Sequence, residues 1–149
     1  MDQDFTGFLE LARGRNHNAG RLLEAYDWKI LEIAPGWLHL DCHVPQQVLN
    51  LGGTLFGGFT PTYVDMIAIW TCMTTMPGEL TWLSTVNMRV DYLEPIRPPG
   101  FEVKSRLINV RRRDHLVETS FFEPLGDGEP RMLAFAVTTL KKAADRPLR

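Results

Sequence analysis

Apolar and polar positions alternate at a two-residue period along much of this chain, a pattern typical of strands that bury one face. The first such run begins near Asp27, and Ala34-Pro35-Gly36 predicts a hairpin turn that divides it into two strands. Four later runs predict four further strands: Val86–Tyr92, Phe101–Asn109, Leu116–Phe122 and Met132–Leu140. Together the runs predict an antiparallel sheet of five to six strands.

The segment Phe59–Met76 breaks this period because it is apolar at nearly every position, and it closes at Pro77-Gly78. It predicts one long central helix, with Pro61 in the first turn, where N–H groups have no partner within the helix. A helix that is apolar on almost every side must be enclosed by other elements. Earlier in the chain, residues 4–26 mix apolar and polar positions and predict a short N-terminal helical segment.

A strand pair, one helix and then further strands is the order of an α+β fold, in which a curved antiparallel sheet wraps around the helix. The connections at Pro95–Gly100, Arg111–Asp114 and Gly126–Pro130 are short, so each is expected to join antiparallel neighbours. Such a sheet leaves strand edges and part of the helix uncovered in a single copy. The pattern therefore predicts a homodimer at least.

Composition narrows the classes of function. The 149 residues carry a formal net charge of −2, so the chain lacks the basic footprint of a nucleic-acid binder. Its length and 44% hydrophobic content predict a single domain: a helical segment at 1–26, a core at 27–141 and a tail at 142–149. The acidic N-terminus is unlike a targeting peptide and the helix is short for a membrane span, which together predict a cytoplasmic protein with no membrane partner.

Cysteine and histidine positions give no sign of a metal centre. Cys42 and Cys72 are the only cysteines and form no CxxC pair, which predicts reduced, structural thiols. His39 and His43 lie on one predicted strand, where four residues span about 13 Å. One ion cannot bridge that distance, so no metal site is predicted.

Glycines cluster in residues 50–58, immediately before the predicted helix. Free N–H groups at a helix N-terminus carry partial positive charge, and glycine lets a carbonyl or an anion approach them closely. Two turns further on, Asp65 is the only charged residue between Gly57 and Met76. Two interpretations of Asp65 stay open: a catalytic carboxylate, or a structural one that hydrogen-bonds a neighbouring backbone.

The pattern Asn50-x-x-Gly53-x-x-Phe56-Gly57-Gly58, followed by Asp65, resembles the motif of the PaaI-type acyl-CoA thioesterases. Downstream, the segment Thr85–Pro95 is similar to that family's third strand, in which Ser or Thr precedes a Tyr and a Pro. The resemblance covers roughly residues 36–141. It implies a hotdog fold and a homodimer, commonly assembled into a tetramer, with active sites at the dimer interface.

The resemblance also implies a reaction, hydrolysis of an acyl-CoA to free acid and coenzyme A, and a role for each matching residue. The Gly57 N–H binds the thioester carbonyl oxygen, and Asn50 orients the carbonyl or the attacking water. Asp65 of the opposite subunit is the base or the nucleophile. Thr85 positions Asp65 and the water, with Ser84 as the alternative one residue earlier. The only cofactor implied is the coenzyme A of the substrate itself.

One position departs from the family motif. Phe56 stands where the family has a His, which removes a polar group near the thioester. Phe56 and Gly58 are expected to contact substrate, and Arg111 and Arg113 are candidate contacts for the coenzyme A phosphates, although a solvated hairpin end also explains such a basic run.

Three alternatives to hydrolysis stay open. A protein that binds acyl-CoA without hydrolysing it accounts for Phe56. A hotdog dehydratase or hydratase shares the fold and a thioester substrate, although the central helix has no His to serve as its acid or base. In a structural or interaction module, the glycines and Asp65 have packing roles only.

Overall fold

The computed structural model of the chain describes residues 28–76, 81–124 and 128–147. Its elements in chain order are β1 (Trp28–Ala34), β2 (Trp37–His43), a short 3-10 helix (Gln46–Val48), α1 (Phe59–Met73), β3 (Thr81–Tyr92), β4 (Gly100–Arg111), β5 (Asp114–Phe122) and β6 (Met132–Pro147). The six strands form one antiparallel sheet, and α1 packs against it. This arrangement confirms the expected α+β class and the hotdog fold. The predicted N-terminal helical segment lies outside the described residues.

The strand order is β1-β2-β4-β5-β6-β3, which corrects one expectation about the connections. The segment Pro95–Gly100 does not join neighbours, because β3 pairs with β6 and β4 pairs with β2 and β5. The connection instead crosses from β3, past β6 and β5, to β4. On the way Ile96 is buried in the core, and its carbonyl accepts the Leu55 N–H at 2.8 Å. The crossing leaves β3 at one edge of the sheet and β1 at the other.

Helix α1 ends at Met73, before the predicted end at Met76. The hydroxyl of Thr74 donates to the Thr71 carbonyl and accepts the Gly36 N–H, each at 2.7 Å. The Thr75 N–H bonds the carbonyl three residues back, a tight turn that finishes the helix. The β1–β2 hairpin is therefore fastened to the end of α1.

The core lies between α1 and the concave face of the sheet. Tyr63 on the helix and Phe101 on β4 are fully buried and meet edge to face, with ring centroids 5.1 Å apart. Cys72 packs in the same interface, and burial raises the pKa of its thiol to about 12. Cys42 and Cys72 are both buried, as expected of structural thiols.

A β-bulge in β3 changes which side chains face the helix. Thr85 pairs with Leu140 and Asn87 pairs with Thr139, so Val86 is the extra residue. The two-residue alternation predicts Val86 on one face with Met88 and Val90, and this is wrong: Met88 and Val90 pack against the core, whereas Val86 is 60% exposed at the bulge. Thr85, opposite the fully buried Leu140, is on the helix side of the sheet.

The last strand is longer than the alternation predicted. β6 continues past Leu140 to Pro147 and pairs with β3 as far as Thr81, so it includes residues assigned to the C-terminal tail. In the described part of the chain, no helix is long and apolar enough to cross a membrane.

Candidate active site at the β3 edge

The carboxylate of Asp65 lies on the side of α1 that faces the edge strand β3. The hydroxyl of Thr85 donates a hydrogen bond to Asp65 Oδ1. The bulge at Val86 makes this contact possible, since it leaves Thr85 on the helix side. Asp65 is half-buried and Thr85 is exposed, so the pair is open to solvent at the sheet edge. Among the described residues, nothing hydrogen-bonds the other oxygen, Oδ2, which is available to a water or a substrate.

The neighbouring hydroxyl of Ser84 does not reach Asp65. Ser84 pairs with the exposed Lys141, and its Oγ accepts a hydrogen bond from the Trp82 indole N–H at 2.9 Å. Successive side chains of a strand point to opposite faces. The structure therefore brings Thr85, and not its off-by-one alternative, to the carboxylate.

The glycines before α1 present two N–H groups. The Phe56 carbonyl accepts the Phe59 N–H at 2.8 Å, and the Gly57 carbonyl accepts the Tyr92 hydroxyl at 2.7 Å. Both carbonyls thus have partners. The N–H groups of Gly57 and Gly58, in contrast, bond to nothing in the described part of the chain. A Cβ added at Gly57 would meet no atom within 4 Å, so space for a ligand exists there. Unpaired N–H groups beside open space at a helix start are what an oxyanion site requires.

Sequence reasoning missed the Tyr92 contact, although one signal was present. The Gly57 carbonyl would find its helical donor at position 61, which is a proline. That carbonyl needs a donor from elsewhere in the fold, and Tyr92 provides it.

Within one chain, the carboxylate and the glycine donors lie apart. Asp65 is seven residues beyond Gly58, the N-cap of α1, and at 1.5 Å per residue this is about 10 Å along the axis. A single small group bound at the Gly57 N–H would therefore not reach the Asp65 carboxylate of the same chain. Each chain presents two half-sites.

Asn50 uses its side chain within its own loop. Its Oδ1 accepts the N–H groups of Gly52 and Thr54, at 2.9 and 3.2 Å, and its Nδ2 donates to the Thr54 hydroxyl at 2.8 Å. These bonds shape the turn that leads to Phe56. One Nδ2 hydrogen is not used by them, and a direct role of Asn50 toward substrate stays a prediction.

Phe56 places an apolar surface beside the glycine donors. Its ring is 56% exposed, and Cε1 lies 3.1 Å from where a Cβ of Gly58 would be. It also meets Phe59 edge to face, with 6.3 Å between ring centroids. The pair forms an aromatic wall at the point where the family motif has a polar His.

The basic residues of the β4–β5 hairpin form a separate group. Arg111, Arg112 and Arg113 are exposed at the turn, and Arg113 Nε donates to the Lys142 carbonyl at 2.9 Å. Lys141 joins this end of the sheet by pairing with both β3 and β5.

Lys104 and Arg106, which the sequence also offers as phosphate contacts, have partners further along β4. Arg106 ion-pairs with Glu118 at 3.2 Å, and the Lys104 ammonium lies 5.4 Å from the centre of the Phe122 ring. His39 Nε2 lies 2.8 Å from Glu102 Oε2 on the opposite sheet face from α1. Across the described residues, no group of three His, Cys, Asp or Glu side chains is arranged to hold a metal ion.

The chain is similar to known thioesterase proteins in sequence over part of its length and in fold over most of it. Residues 52–123, which include Gly57, Asp65 and Thr85, match the family model described as Thioesterase superfamily. No curated protein sequence matches the chain. Thioesterase superfamily member 2 from zebra fish is 22% identical, with a TM-score of 0.76 over 95% of this chain and 98% of that one.

Two similar structures hold ligands. A hypothetical thioesterase protein from Streptococcus pneumoniae, solved with coenzyme A, has 17% identity and a TM-score of 0.71 over 83% of this chain and 92% of its own. The protein smu.793 from Streptococcus mutans, bound to acetyl CoA, has 18% identity and a TM-score of 0.69, covering 80% of this chain and 91% of that chain. At these identities the likeness shows the fold. The chain is a hotdog-fold protein whose central segment has the sequence pattern of the thioesterase superfamily.

Proposed function

We propose that this protein is a PaaI-type thioesterase that hydrolyses an acyl-CoA to a free acid and coenzyme A. The observation that carries the proposal is the Asp65 carboxylate, held at the open sheet edge by Thr85 with one oxygen unoccupied by the described residues. The superfamily match over the same segment, and the coenzyme A and acetyl CoA bound to structurally similar proteins, support it.

The glycine loop stabilises the charge that the reaction creates. As water or a carboxylate attacks the thioester carbon, negative charge develops on the carbonyl oxygen. The Gly57 N–H, at the positive end of α1, donates to that oxygen, and one such aimed donor typically contributes about 10²–10³ in rate. The C–S bond then breaks, and the coenzyme A thiolate leaves and takes up a proton.

Asp65 supplies the attacking group in one of two ways. As a general base, its Oδ2 accepts a proton from the water that adds to the carbonyl carbon. As a nucleophile, it forms an acyl-enzyme anhydride that water then hydrolyses. In both routes Thr85 holds Oδ1 and so fixes the direction of Oδ2, while Asn50 orients the carbonyl or the water.

The complete site requires two chains. Because Gly58 and Asp65 of one chain are about 10 Å apart along the helix, we place the Asp65 of one protomer beside the glycine loop of its partner. The exposed edge strand β3 is the surface for this pairing, since Trp82, Val86 and Tyr92 on it are each more than half exposed. Pairing two β3 edges satisfies their free backbone groups and covers these side chains. Dimers of this kind can pair again into the tetramer common in the family.

The basic hairpin is the proposed contact for the coenzyme A phosphates. Val110, His115, Leu140 and Thr85 lie in one row across the sheet, so Val110, next to Arg111, is three strand spacings, about 14 Å, from Thr85. Arg113 is closer, since its Nε donates to the Lys142 carbonyl on β6, the neighbour of β3. Arg111 and Arg113 therefore lie to one side of the thioester, where an extended coenzyme A can place its phosphates. Arginine suits this role because its planar guanidinium binds phosphate oxygens in pairs.

A panel of aliphatic and aromatic acyl-CoAs tests the proposal through release of free thiol. The wild-type protein is expected to turn over at least one acyl class, and Asp65→Asn, at matched stability, is expected to lose that turnover. Phe56 favours one second candidate, a protein that binds acyl-CoA without hydrolysis, because the aromatic wall offers apolar contact and no proton donor. Tight acyl-CoA binding without thiol release from the wild type would establish that candidate instead.

A further inference from the structure

The Gly57 carbonyl, just before α1, has no donor available from the helix. In an α-helix each carbonyl accepts the N–H four residues ahead. Gly58 already has helical dihedral angles (φ −68°, ψ −20°), so the Gly57 carbonyl is directed toward the N–H of residue 61. Residue 61 is a proline and has no N–H. The hydroxyl of Tyr92, 35 residues further along the chain, takes the place of the missing donor and donates to the Gly57 carbonyl at 2.7 Å.

This bond fixes the direction of the glycine N–H groups. In a trans peptide unit the C=O and the N–H point in opposite directions. Tyr92 holds the Gly57 carbonyl, so the Gly58 N–H points away from Tyr92. The Phe59 N–H holds the Phe56 carbonyl and fixes the Gly57 N–H in the same way. Glycine is the most conformationally free residue, so two in succession need such restraints to keep their donors aimed.

We propose that the Gly58 N–H is a second oxyanion donor beside that of Gly57 and that Tyr92 is its positioning residue: the Tyr92 hydroxyl holds and polarises the Gly57–Gly58 peptide so that the Gly58 N–H stays directed at the thioester carbonyl. A donor on the carbonyl of a peptide unit strengthens the N–H of the same unit. The inference rests on the proposed function. It also makes β3 the element that positions both half-sites, through Thr85 on Asp65 and Tyr92 on Gly57.

Tyr92→Phe tests this by removing the hydroxyl and leaving the ring. With a net value of about 0.5–1.5 kcal/mol for one hydrogen bond, kcat is expected to fall roughly 2- to 13-fold with KM unchanged. Thr75→Val is the matched control, since it removes a hydroxyl-to-carbonyl bond (2.7 Å) at the other end of α1. Its kcat is expected to equal that of the wild type.

Adding Pro61→Ala to Tyr92→Phe restores an N–H that can donate to Gly57, and kcat is expected to recover in part. Backbone ¹⁵N order parameters give a readout independent of turnover: Tyr92→Phe is expected to lower them at Gly57 and Gly58, and Thr75→Val is not. A wild type without turnover would reject the proposed function, while the order parameters would still decide the role of Tyr92. Unchanged kcat and order parameters in Tyr92→Phe would overturn the inference.

Discussion

Thr85→Val is the substitution that separates a functional Asp65 from a structural one. It replaces the hydroxyl that donates to Asp65 Oδ1 with a methyl group of the same size, at an exposed position of an edge strand. A hydrogen bond to a charged group is worth about 1.5–3 kcal/mol, and each 1.36 kcal/mol in the barrier is tenfold in rate. If the bond acts in the transition state, kcat is expected to fall roughly 10- to 150-fold.

Ser84→Ala is the matched control for that substitution. It removes a hydroxyl from the adjacent residue, whose Oγ is bonded to Trp82 on the other face of the sheet. Steady-state thiol release should show a large loss in Thr85→Val and none in Ser84→Ala, with both variants unfolding near the wild-type temperature. Equal activity in the two variants would refute the assignment of Thr85, and a loss confined to Ser84→Ala would place the active hydroxyl one residue earlier.

Three further predictions concern the fold, a thiol and the hairpin. Gly100→Ala should unfold or severely destabilise the protein in thermal melts, because its Cβ would lie 2.0 Å from a β2 backbone oxygen. Gly128→Ala is the control: its Cβ would meet nothing within 4 Å, so the melting temperature should not change. With a pKa of about 12, Cys72 is about 10⁻⁴ thiolate at pH 8, so mass spectrometry should find it unmodified by iodoacetamide until the protein is denatured. Arg111→Ala with Arg113→Ala should raise KM for acyl-CoA severalfold with kcat unchanged, an effect that shrinks as salt is added; an unchanged KM would leave the hairpin as a solvated turn.

Local pattern was sufficient to predict the elements of this fold. The alternation around Leu38 and Leu40 identifies the β1–β2 hairpin because it marks strands with one buried face, and the continuous apolar run from Phe59 identifies the central helix. The position of β3 was missed because the short connection after Pro95 resembles a hairpin, whereas the strand order shows that it crosses between strands that are not neighbours.

The candidate site was predictable only in part, because local pattern does not record contacts between distant parts of the chain. The spacing from Gly57 to Asp65 is local and visible in the sequence. The choice between Thr85 and Ser84 depends on a bulge that simple alternation does not encode. The bond from Tyr92 to Gly57 joins residues far apart in the chain, and only the missing donor at Pro61 pointed to it.

The measurement that tests the account most directly is thiol release from acyl-CoA by the wild type and by Asp65→Asn, with the oligomeric state of both determined. The account predicts turnover of at least one acyl class by a dimeric or larger wild-type protein, and its loss in Asp65→Asn without a change in assembly or in acyl-CoA binding. Undiminished turnover in Asp65→Asn would contradict the central role of Asp65, and wild-type binding without turnover would contradict hydrolysis itself.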